Sequence, residues 1–179
     1  MRRLIGTLPA EKCDAWLPIA SGKPVRSRPG SMRTEGVFSP ETETDAAETF
    51  ESVGPAAQTV VRETAKAMEF DREEYDRRVT GEVVETARDA LFASLLSVSV
   101  GDREEWEAWR DAHPEYDVHE TGSESVERVV WHAAPATEEA VAATFQSEAE
   151  AAIGTLRRQA FGRIYQPLLK DDAPGESDG

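Results

Sequence analysis

The sequence predicts an α+β fold with three to four N-terminal helices, a small antiparallel sheet containing a β-hairpin, and a long C-terminal helix packed on that sheet. Three observations predict it. Apolar residues recur with helical spacing from about residue 40 to residue 96. They alternate with polar residues over 126–134 and 139–146, and helical spacing returns between residues 148 and 168. A chain of 179 residues holds one such domain.

The domain is expected to occupy residues 36–169, with different sequence on either side. Residues 1–31 hold four of the ten prolines and carry six basic against two acidic residues. We interpret residues 1–35 as a disordered basic arm or a mis-assigned N-terminal extension; in the second case the natural start is Met32 and residues 1–31 are the extension. Residues 170–179 are expected to form a disordered acidic tail.

The four N-terminal helices are justified by their caps and apolar stripes. Ser39 is expected to cap the first helix with Pro40 at its first position, and Gly54 with Pro55 to begin the second. Asp71 and Glu74 predict a capping box for a short third segment, and Thr80 is expected to cap a central helix that ends at Leu96. The residues expected to face inward in the first two helices are Ala46, Ala47, Phe50 and Val53, then Ala57, Val60, Val61, Thr64 and Met68.

The second half of the domain is expected to hold the sheet. Val98 and Val100 predict a short strand, residues 102–112 a helix, and the histidine-containing segment after it a polar loop. His132 is expected to lie on the other face of its strand from Trp131, as a solvated edge residue. We expect one face of the hairpin to collect Val129, Trp131 and Ala133 with Val141, Ala143 and Phe145.

The charge pattern predicts a protein adapted to a salt-rich cytoplasm. Residues 32–179 carry 33 acidic and 14 basic residues, and only four of the 20 basic residues in the chain are lysines. At about 1 M salt the screening length falls to about 3 Å, which suppresses repulsion among so many carboxylates. A single cysteine, Cys13, excludes an internal disulfide, and the longest apolar run is too short to cross a membrane.

No motif predicts catalysis, a cofactor or a metal. The three histidines lack the spacing of metal ligands. The glycines stand singly, so there is no glycine-rich phosphate-binding loop. Pairs of acidic residues occur throughout the chain and therefore do not indicate acid–base chemistry. A winged-helix reading with residues 81–96 as the recognition helix is weak, because Arg88 is that helix's only cation. The sequence therefore does not favour a nucleic-acid partner.

The final helix supplies the first candidate site. Arg157 falls on its apolar face, and a buried arginine requires an anionic or carbonyl partner. Glu85 is a plausible internal partner, or the side chain extends to water along the apolar face. A third possibility is that Arg157, Arg158 and Tyr165 bind a small anion.

The tryptophans supply the second candidate site. Trp106 and Trp109 share a helix face, and together with Trp131 they either complete the core or form a patch for a ligand or partner. The reading we favour is a non-catalytic interaction or regulatory module that binds a protein partner or itself. The alternatives are an anion-binding protein or enzyme that uses Arg157 and Arg158, and a winged-helix-like DNA-binding regulator.

Three stretches, 54–63, 81–92 and 154–163, carry a family resemblance. They read GPAAQTVVRE, GEVVETARDALF and GTLRRQAFGR. The chain resembles, over about residues 32–169, an uncharacterised haloarchaeal family, a domain of unknown function. That resemblance implies a halophilic source and a cytoplasmic location, and it implies no activity, ligand or catalytic residue.

Overall fold

Helices lie on both faces of a five-stranded sheet in the computed structural model, which describes residues 32–170. The strands are β1 (Arg33–Glu35), β2 (Val98–Asp102), β3 (Asp117–Thr121), β4 (Arg128–Ala134) and β5 (Glu139–Phe145). The helices are α1 (Glu43–Ser52), α2 (Gly54–Ala67), α3 (Arg72–Arg78), α4 (Gly81–Leu95), α5 (Arg103–Ala112), α6 (Ala149–Ala160) and α7 (Gln166–Lys170). The α+β class and the C-terminal helix are confirmed. The expected arm (residues 1–35) and tail (residues 170–179) lie mostly outside the described residues. Within the described part, Arg33–Glu35 form a strand of the sheet and Lys170 is the last residue of α7.

The first helix begins three residues later than its proline suggests. Thr42 is the N-cap, and its hydroxyl accepts a hydrogen bond from the Asp45 amide at 3.1 Å. The prediction of a cap at Ser39 was wrong because Phe38 pairs with Leu96, and the Ser97 amide donates to its carbonyl. This pairing holds the preceding segment extended. Of the inward residues predicted, Ala46, Phe50 and Val53 are buried, and Ala47 is exposed.

Fewer residues of helix α2 are buried than its sequence predicts. Ala57 and Ala65 are buried, whereas Val60 is 48% and Met68 58% exposed. Thr64 is also exposed, so the predicted stripe was wrong at three positions. Asp71 caps α3 as predicted, with its carboxylate accepting from the Glu74 amide.

The sheet is mixed, which corrects the prediction of an antiparallel one. Its strand order is β1-β2-β4-β5-β3, and all neighbours are antiparallel except β3 and β5. Strand β3 replaces the predicted polar loop. It runs parallel to β5 because α5 forms a crossover between β2 and β3. Strand β3 contains a single apolar residue, Val118, so its sequence alone resembles a loop.

The hairpin forms as predicted, but its side chains pair differently across the two strands. Trp131 lies opposite Ala142, and His132 lies opposite Val141. The four-residue connection pairs Ala134 with Glu139, so each even-numbered residue of β4 lies directly opposite an odd-numbered residue of β5. The predicted face that combined Trp131 with Val141 was therefore wrong. His132 instead shares the Val141 face, and is 1% exposed, so the prediction of a solvated edge residue was also wrong.

Two apolar clusters result, one on each face of the sheet. The larger cluster joins the His132 face to α1, α4 and α6, with Phe92 in contact with the rings of Phe50, Phe161 and Tyr165. The smaller cluster lies under α5 and contains Trp106, Val129, Trp131 and Ala142. Tyr165 of the first candidate site belongs to the larger cluster, and Trp106 and Trp131 of the second belong to the smaller one.

The C-terminal helix is continuous but changes its winding. A π-helical turn, Phe161–Tyr165, separates α6 from α7 within the predicted span 148–168. A π turn adds a residue to the helical repeat and rotates everything after it relative to the preceding face. In the described part of the chain, no helix has the length and apolar character needed to cross a membrane.

Candidate functional site

The guanidinium of Arg157 is held by two main-chain carbonyl groups. Its Nε donates to the carbonyl of Leu96 at 2.8 Å, and its Nη2 donates to that of Glu35 at 3.0 Å. The sequence predicted that a buried Arg157 needs an anionic or a carbonyl partner, and the partners are carbonyl groups. Glu85 is exposed on α4 and is not the partner. Arg157 thereby ties α6 both to the end of α4 and to the edge strand β1.

Arg158 and Tyr165 do not join Arg157 in one site. Arg158 is exposed and donates to the Thr155 hydroxyl on its own helix at 3.3 Å. Tyr165 is completely buried. Straight helical spacing places these two side chains together at one margin, but the π turn rotates Tyr165 into the core. The three residues therefore face different surroundings.

Tyr165 meets His132 in a buried polar pair that sequence reasoning missed. The Nδ1 atom of His132 lies 2.6 Å from the carbonyl of Ser97, which can only accept a hydrogen bond, so Nδ1 carries the proton. Nε2 is then the acceptor for the Tyr165 hydroxyl at 3.0 Å. A polar residue in an otherwise apolar strand, Val-Val-Trp-His-Ala-Ala, was the one signal available in the sequence.

This pair stays neutral at ordinary pH. Burial lowers the pKa of His132, and the positive charge of Arg157 lowers it further, against an opposing contribution from the Ser97 carbonyl. Burial also raises the pKa of the Tyr165 hydroxyl. Each polar atom has a partner, and neither side chain is more than 1% exposed. The pair therefore links the C-terminal helix to the sheet and has no surface for a substrate.

The tryptophans form a stack that runs from the core to the surface along α5. Trp106 contacts Trp131 at 5.4 Å between ring centroids and stacks on Trp109, also at 5.4 Å. His113 stacks on the other side of Trp109 at 4.6 Å, and Tyr116 stands edge-on to Trp109. Trp106 and Trp131 are buried, whereas Trp109, His113 and Tyr116 are half-buried. Sequence spacing indicated the tryptophans and missed His113 and Tyr116.

A carboxylate fixes the inner end of this stack. Glu120 accepts from the indole Nε1 of Trp106 at 3.0 Å and pairs with Arg103. Burial favours a higher pKa for the Glu120 carboxyl, but the hydrogen bonds from Arg103 and Trp106 outweigh it and leave the pKa lowered. Arg103 also donates to the carbonyl of Ser123, so β3 and the following loop are tied to α5. The inner tryptophans therefore complete the core, as one of the two readings of the sequence has it.

Two carboxylates lie near Tyr116 at the outer end of the stack. Burial raises the pKa of the Tyr116 hydroxyl, and the negative charges of Glu115 and Glu138 raise it further. The main-chain amide of Asp117 donates to the Glu138 carbonyl at 2.8 Å, which places the β4–β5 turn beside Tyr116. Half-buried rings and acidic side chains thus share one surface, which we call the α5 aromatic face and define by Trp109, His113 and Tyr116.

Helix α4 is arranged differently from a DNA recognition helix. Arg88, its only cation, lies over the Phe50 ring at 4.3 Å and pairs with Glu51 at 3.1 Å. The exposed positions Glu82 and Glu85 are acidic. In the part of the chain from residue 32 to residue 170, no group of three or more histidine, cysteine or acidic side chains is arranged to hold a metal ion.

The chain matches the family described as "Family of unknown function (DUF5809)" over residues 37–166. The chain belongs to the DUF5809 family. The match begins after β1 and covers α1 through the π turn, so the α5 aromatic face, Arg157 and the His132–Tyr165 pair all lie in the DUF5809 domain. No curated protein and no solved structure matches this chain. The expected resemblance to a domain of unknown function is confirmed.

Proposed function

We propose that the DUF5809 domain is a non-catalytic interaction module that binds a cationic segment of a protein partner at the α5 aromatic face. The observation that supports this proposal is the stack from Trp131 through Trp106 to Trp109 and His113, whose outer rings remain half-buried. Rigid aromatic side chains at a surface are typical anchors of protein interfaces.

The rigidity of this face favours binding. Trp109 has a ring on each side, and the imidazole Nδ1 of His113 contacts the Trp109 carbonyl at 2.7 Å. The outer rings are therefore ordered before any partner arrives, and little side-chain entropy remains to be lost on binding. Tyr116 adds a polar hydroxyl at the edge of the same face.

The charge around the face favours a cationic partner. Glu115 and Glu138 lie near Tyr116, and arginine both stacks on aromatic rings and pairs with carboxylates. In the described part of the chain, the arginine–aromatic contacts are Arg78 over Phe70 and Arg88 over Phe50, which leaves Trp109, His113 and Tyr116 without such a neighbour.

We further propose that the protein acts in the salt-rich cytoplasm of a haloarchaeon. The net charge of -19 on residues 32–179 and the scarcity of lysine support it. At high salt the long-range attraction between charges is screened, so binding has to depend on short-range contacts between rings and guanidinium groups. An aromatic face bordered by carboxylates provides such contacts.

A peptide titration tests the proposal. An oligo-arginine peptide is added to the full chain in potassium chloride at a concentration that keeps the chain folded, and the indole signal of Trp109 is followed by NMR. We expect Trp109→Leu or Tyr116→Ser to weaken binding by about tenfold or more, as for the loss of an interface anchor.

The matched control is Met68→Ala, which removes an exposed apolar side chain at the C-cap of α2 and should leave the affinity unchanged. Oligo-glutamate of the same length should not bind. If the Trp109 and Tyr116 signals do not respond to oligo-arginine, or if both variants bind it as the parent chain does, the proposal is wrong. Preferential binding of oligo-glutamate would instead support the anion-binding alternative.

A further inference from the structure

A groove of about 330 Å³ lies between α1 and α7, which we call the α1–α7 groove. Its apolar surface comes from Ala47 and Phe50 of α1 and from Leu168 and Leu169 of α7. These residues belong to the side of the sheet that carries the larger cluster, whereas α5 packs on the other side. The groove is therefore separate from the α5 aromatic face. Its volume is in the range of small-molecule sites.

The apolar face of α1 continues beyond the core into this groove. Phe50 is buried, whereas Ala47, which helical spacing predicts inward, is exposed. Leu168 and Leu169 are half-buried, so they also keep apolar surface at the groove. Four apolar side chains thus provide a patch against which an aliphatic chain can be removed from water.

Arg88 of α4 marks one end of the groove. Its guanidinium carbon lies 4.3 Å from the centre of the Phe50 ring, and this stacking orders the group. Among the described residues, only its Nη1 has an acceptor, the Glu51 carboxylate at 3.1 Å, and its Nε is buried without a partner. The Glu51 side chain is 74% exposed, so this ion pair is weak. The guanidinium therefore retains donors and charge for the carboxylate of a ligand.

Glu43 marks the other end of the groove. Glu43, Ala47 and Glu51 lie on one face of α1 at a spacing of four residues. Glu43 and Glu51 are about 12 Å apart along the helix axis, at about 1.5 Å per residue. Thr44, beside Glu43, also lines the groove and adds a hydroxyl acceptor. The groove therefore has a guanidinium at one end, acceptors at the other and an apolar stretch between them.

The dipole of α1 opposes this order of charges, because its positive end is at Glu43. It acts as about half a unit charge at each end of the helix, whereas Arg88 and Glu43 carry whole charges. The side chains therefore decide which end of the groove receives which charge.

We propose that the α1–α7 groove binds a small ω-amino carboxylate, in which an aliphatic chain joins a carboxylate to an ammonium group. The carboxylate binds Arg88, the chain lies on Ala47 and Phe50, and the ammonium group binds Glu43. A molecule with a charge at one end only leaves one of these two groups without a partner. This inference does not depend on the proposed function, since it uses other residues on the other side of the sheet.

A titration with 6-aminohexanoate tests the proposal. The compound is added to the full chain in potassium chloride, and the NMR signals of Ala47, Phe50, Leu168 and Leu169 are followed. We expect these signals to shift and to saturate, while those of Trp109 remain unchanged. Hexanoate and hexylammonium, compared at the same ionic strength, each lack one charged end. They should bind at least about tenfold more weakly, as for the loss of a hydrogen bond to a charged group.

Substitutions assign the two ends and the middle of the groove. Glu43→Gln removes the acceptor charge, and Ala47→Phe fills the apolar stretch; both positions are exposed, so the fold should be retained. We expect each to weaken 6-aminohexanoate binding by about tenfold or more. Glu48→Gln, at another exposed position of α1, should leave binding unchanged. Arg88→Gln should also weaken binding, and Arg62→Gln on α2 should not; unfolding curves of both show whether the fold is kept.

Three results overturn the inference. The first is the absence of a saturable shift at the four apolar residues of the groove. The second is equal binding of hexanoate or of hexylammonium, which would show that only one end of the groove is recognised. The third is unchanged affinity in both Glu43→Gln and Ala47→Phe, which would place the ligand elsewhere. The oligo-arginine titration at the α5 aromatic face is read from other signals, so each of these results leaves the proposed function unaffected.

Discussion

Replacing Arg157 with alanine tests how its charge is accommodated. The substitution removes donors at 2.8 Å and 3.0 Å from the carbonyls of Leu96 and Glu35. Leu96 is completely buried, so its carbonyl would be left without a partner, at a cost of about 1–3 kcal/mol. Glu35 is half-buried, and water can replace part of that interaction. We expect a total loss of about 2–4 kcal/mol in the free energy of unfolding.

Arg158→Ala is the matched control for this measurement. It removes the same charge from the next position of the same helix, but Arg158 is exposed and donates a hydrogen bond to Thr155 within α6. We expect a change within about 0.5 kcal/mol, as for an ordinary surface substitution. Denaturant unfolding of the parent chain and both variants in the same potassium chloride solution gives the comparison, because long-range charge effects cancel between the two variants.

Two outcomes would refute this account of Arg157. Equal stability of the two variants would mean that the carbonyl contacts contribute nothing and that the side chain simply reaches water. If phosphate stabilises the parent chain and Arg158→Ala but not Arg157→Ala, the guanidinium binds an anion. We expect phosphate at constant ionic strength to act on all three proteins alike.

Three further predictions follow from the buried pair and the charge pattern. Because the folded pKa of His132 lies below its ordinary value of 6.5, the unfolded chain takes up a proton first as the pH falls, and stability present above pH 6.5 is lost below it. Between about pH 7.5 and about pH 5.5 the free energy of unfolding of the parent chain should fall by up to about 1.4 kcal/mol more than that of His132→Gln. The other histidines still titrate in that variant, so the difference reports on His132. Parallel pH profiles of the two proteins would contradict this prediction. Tyr165→Phe should lower the free energy of unfolding by about 1–3 kcal/mol, because Nε2 of His132 loses its donor; an unchanged denaturation midpoint would show that the hydrogen bond is unimportant. The melting temperature should rise as potassium chloride is increased from about 0.1 M to about 1 M, because the screening length falls from about 10 Å to about 3 Å; a constant melting temperature would exclude salt adaptation.

The features that sequence reasoning predicted correctly are those with local causes. Asp71 caps α3, α5 occupies residues 103–112 of the predicted span 102–112, and α4 occupies almost the whole of its predicted span. The hairpin strands follow from alternation and from the turn between Ala134 and Glu139. The placement of Trp106 and Trp109 on one helix face was also correct, because positions three apart on a helix are neighbours.

The candidate site could be predicted only in part, because its remaining members depend on contacts between distant segments. His113 and Tyr116 join the tryptophans through the end of α5 and the entry to β3, a strand with one apolar residue. The partners of Arg157 are main-chain carbonyls 61 and 122 positions away, and a carbonyl leaves no mark in a sequence. Periodicity indicated that the arginine needed a partner and could not indicate which one.

The sequence by itself determined the α+β class, the acidic character, the Asp71 cap of α3 and the hairpin of this protein. Only the tertiary structure decided the mixed sheet, the pairing of side chains across the hairpin and the His132–Tyr165 pair. Caps and periodic patterns act within a few residues, so they can be read along the chain. Strand pairing and the π turn are stabilised by packing between segments far apart in the chain, and one added residue in a helical repeat moves Tyr165 from the margin of the helix into the core.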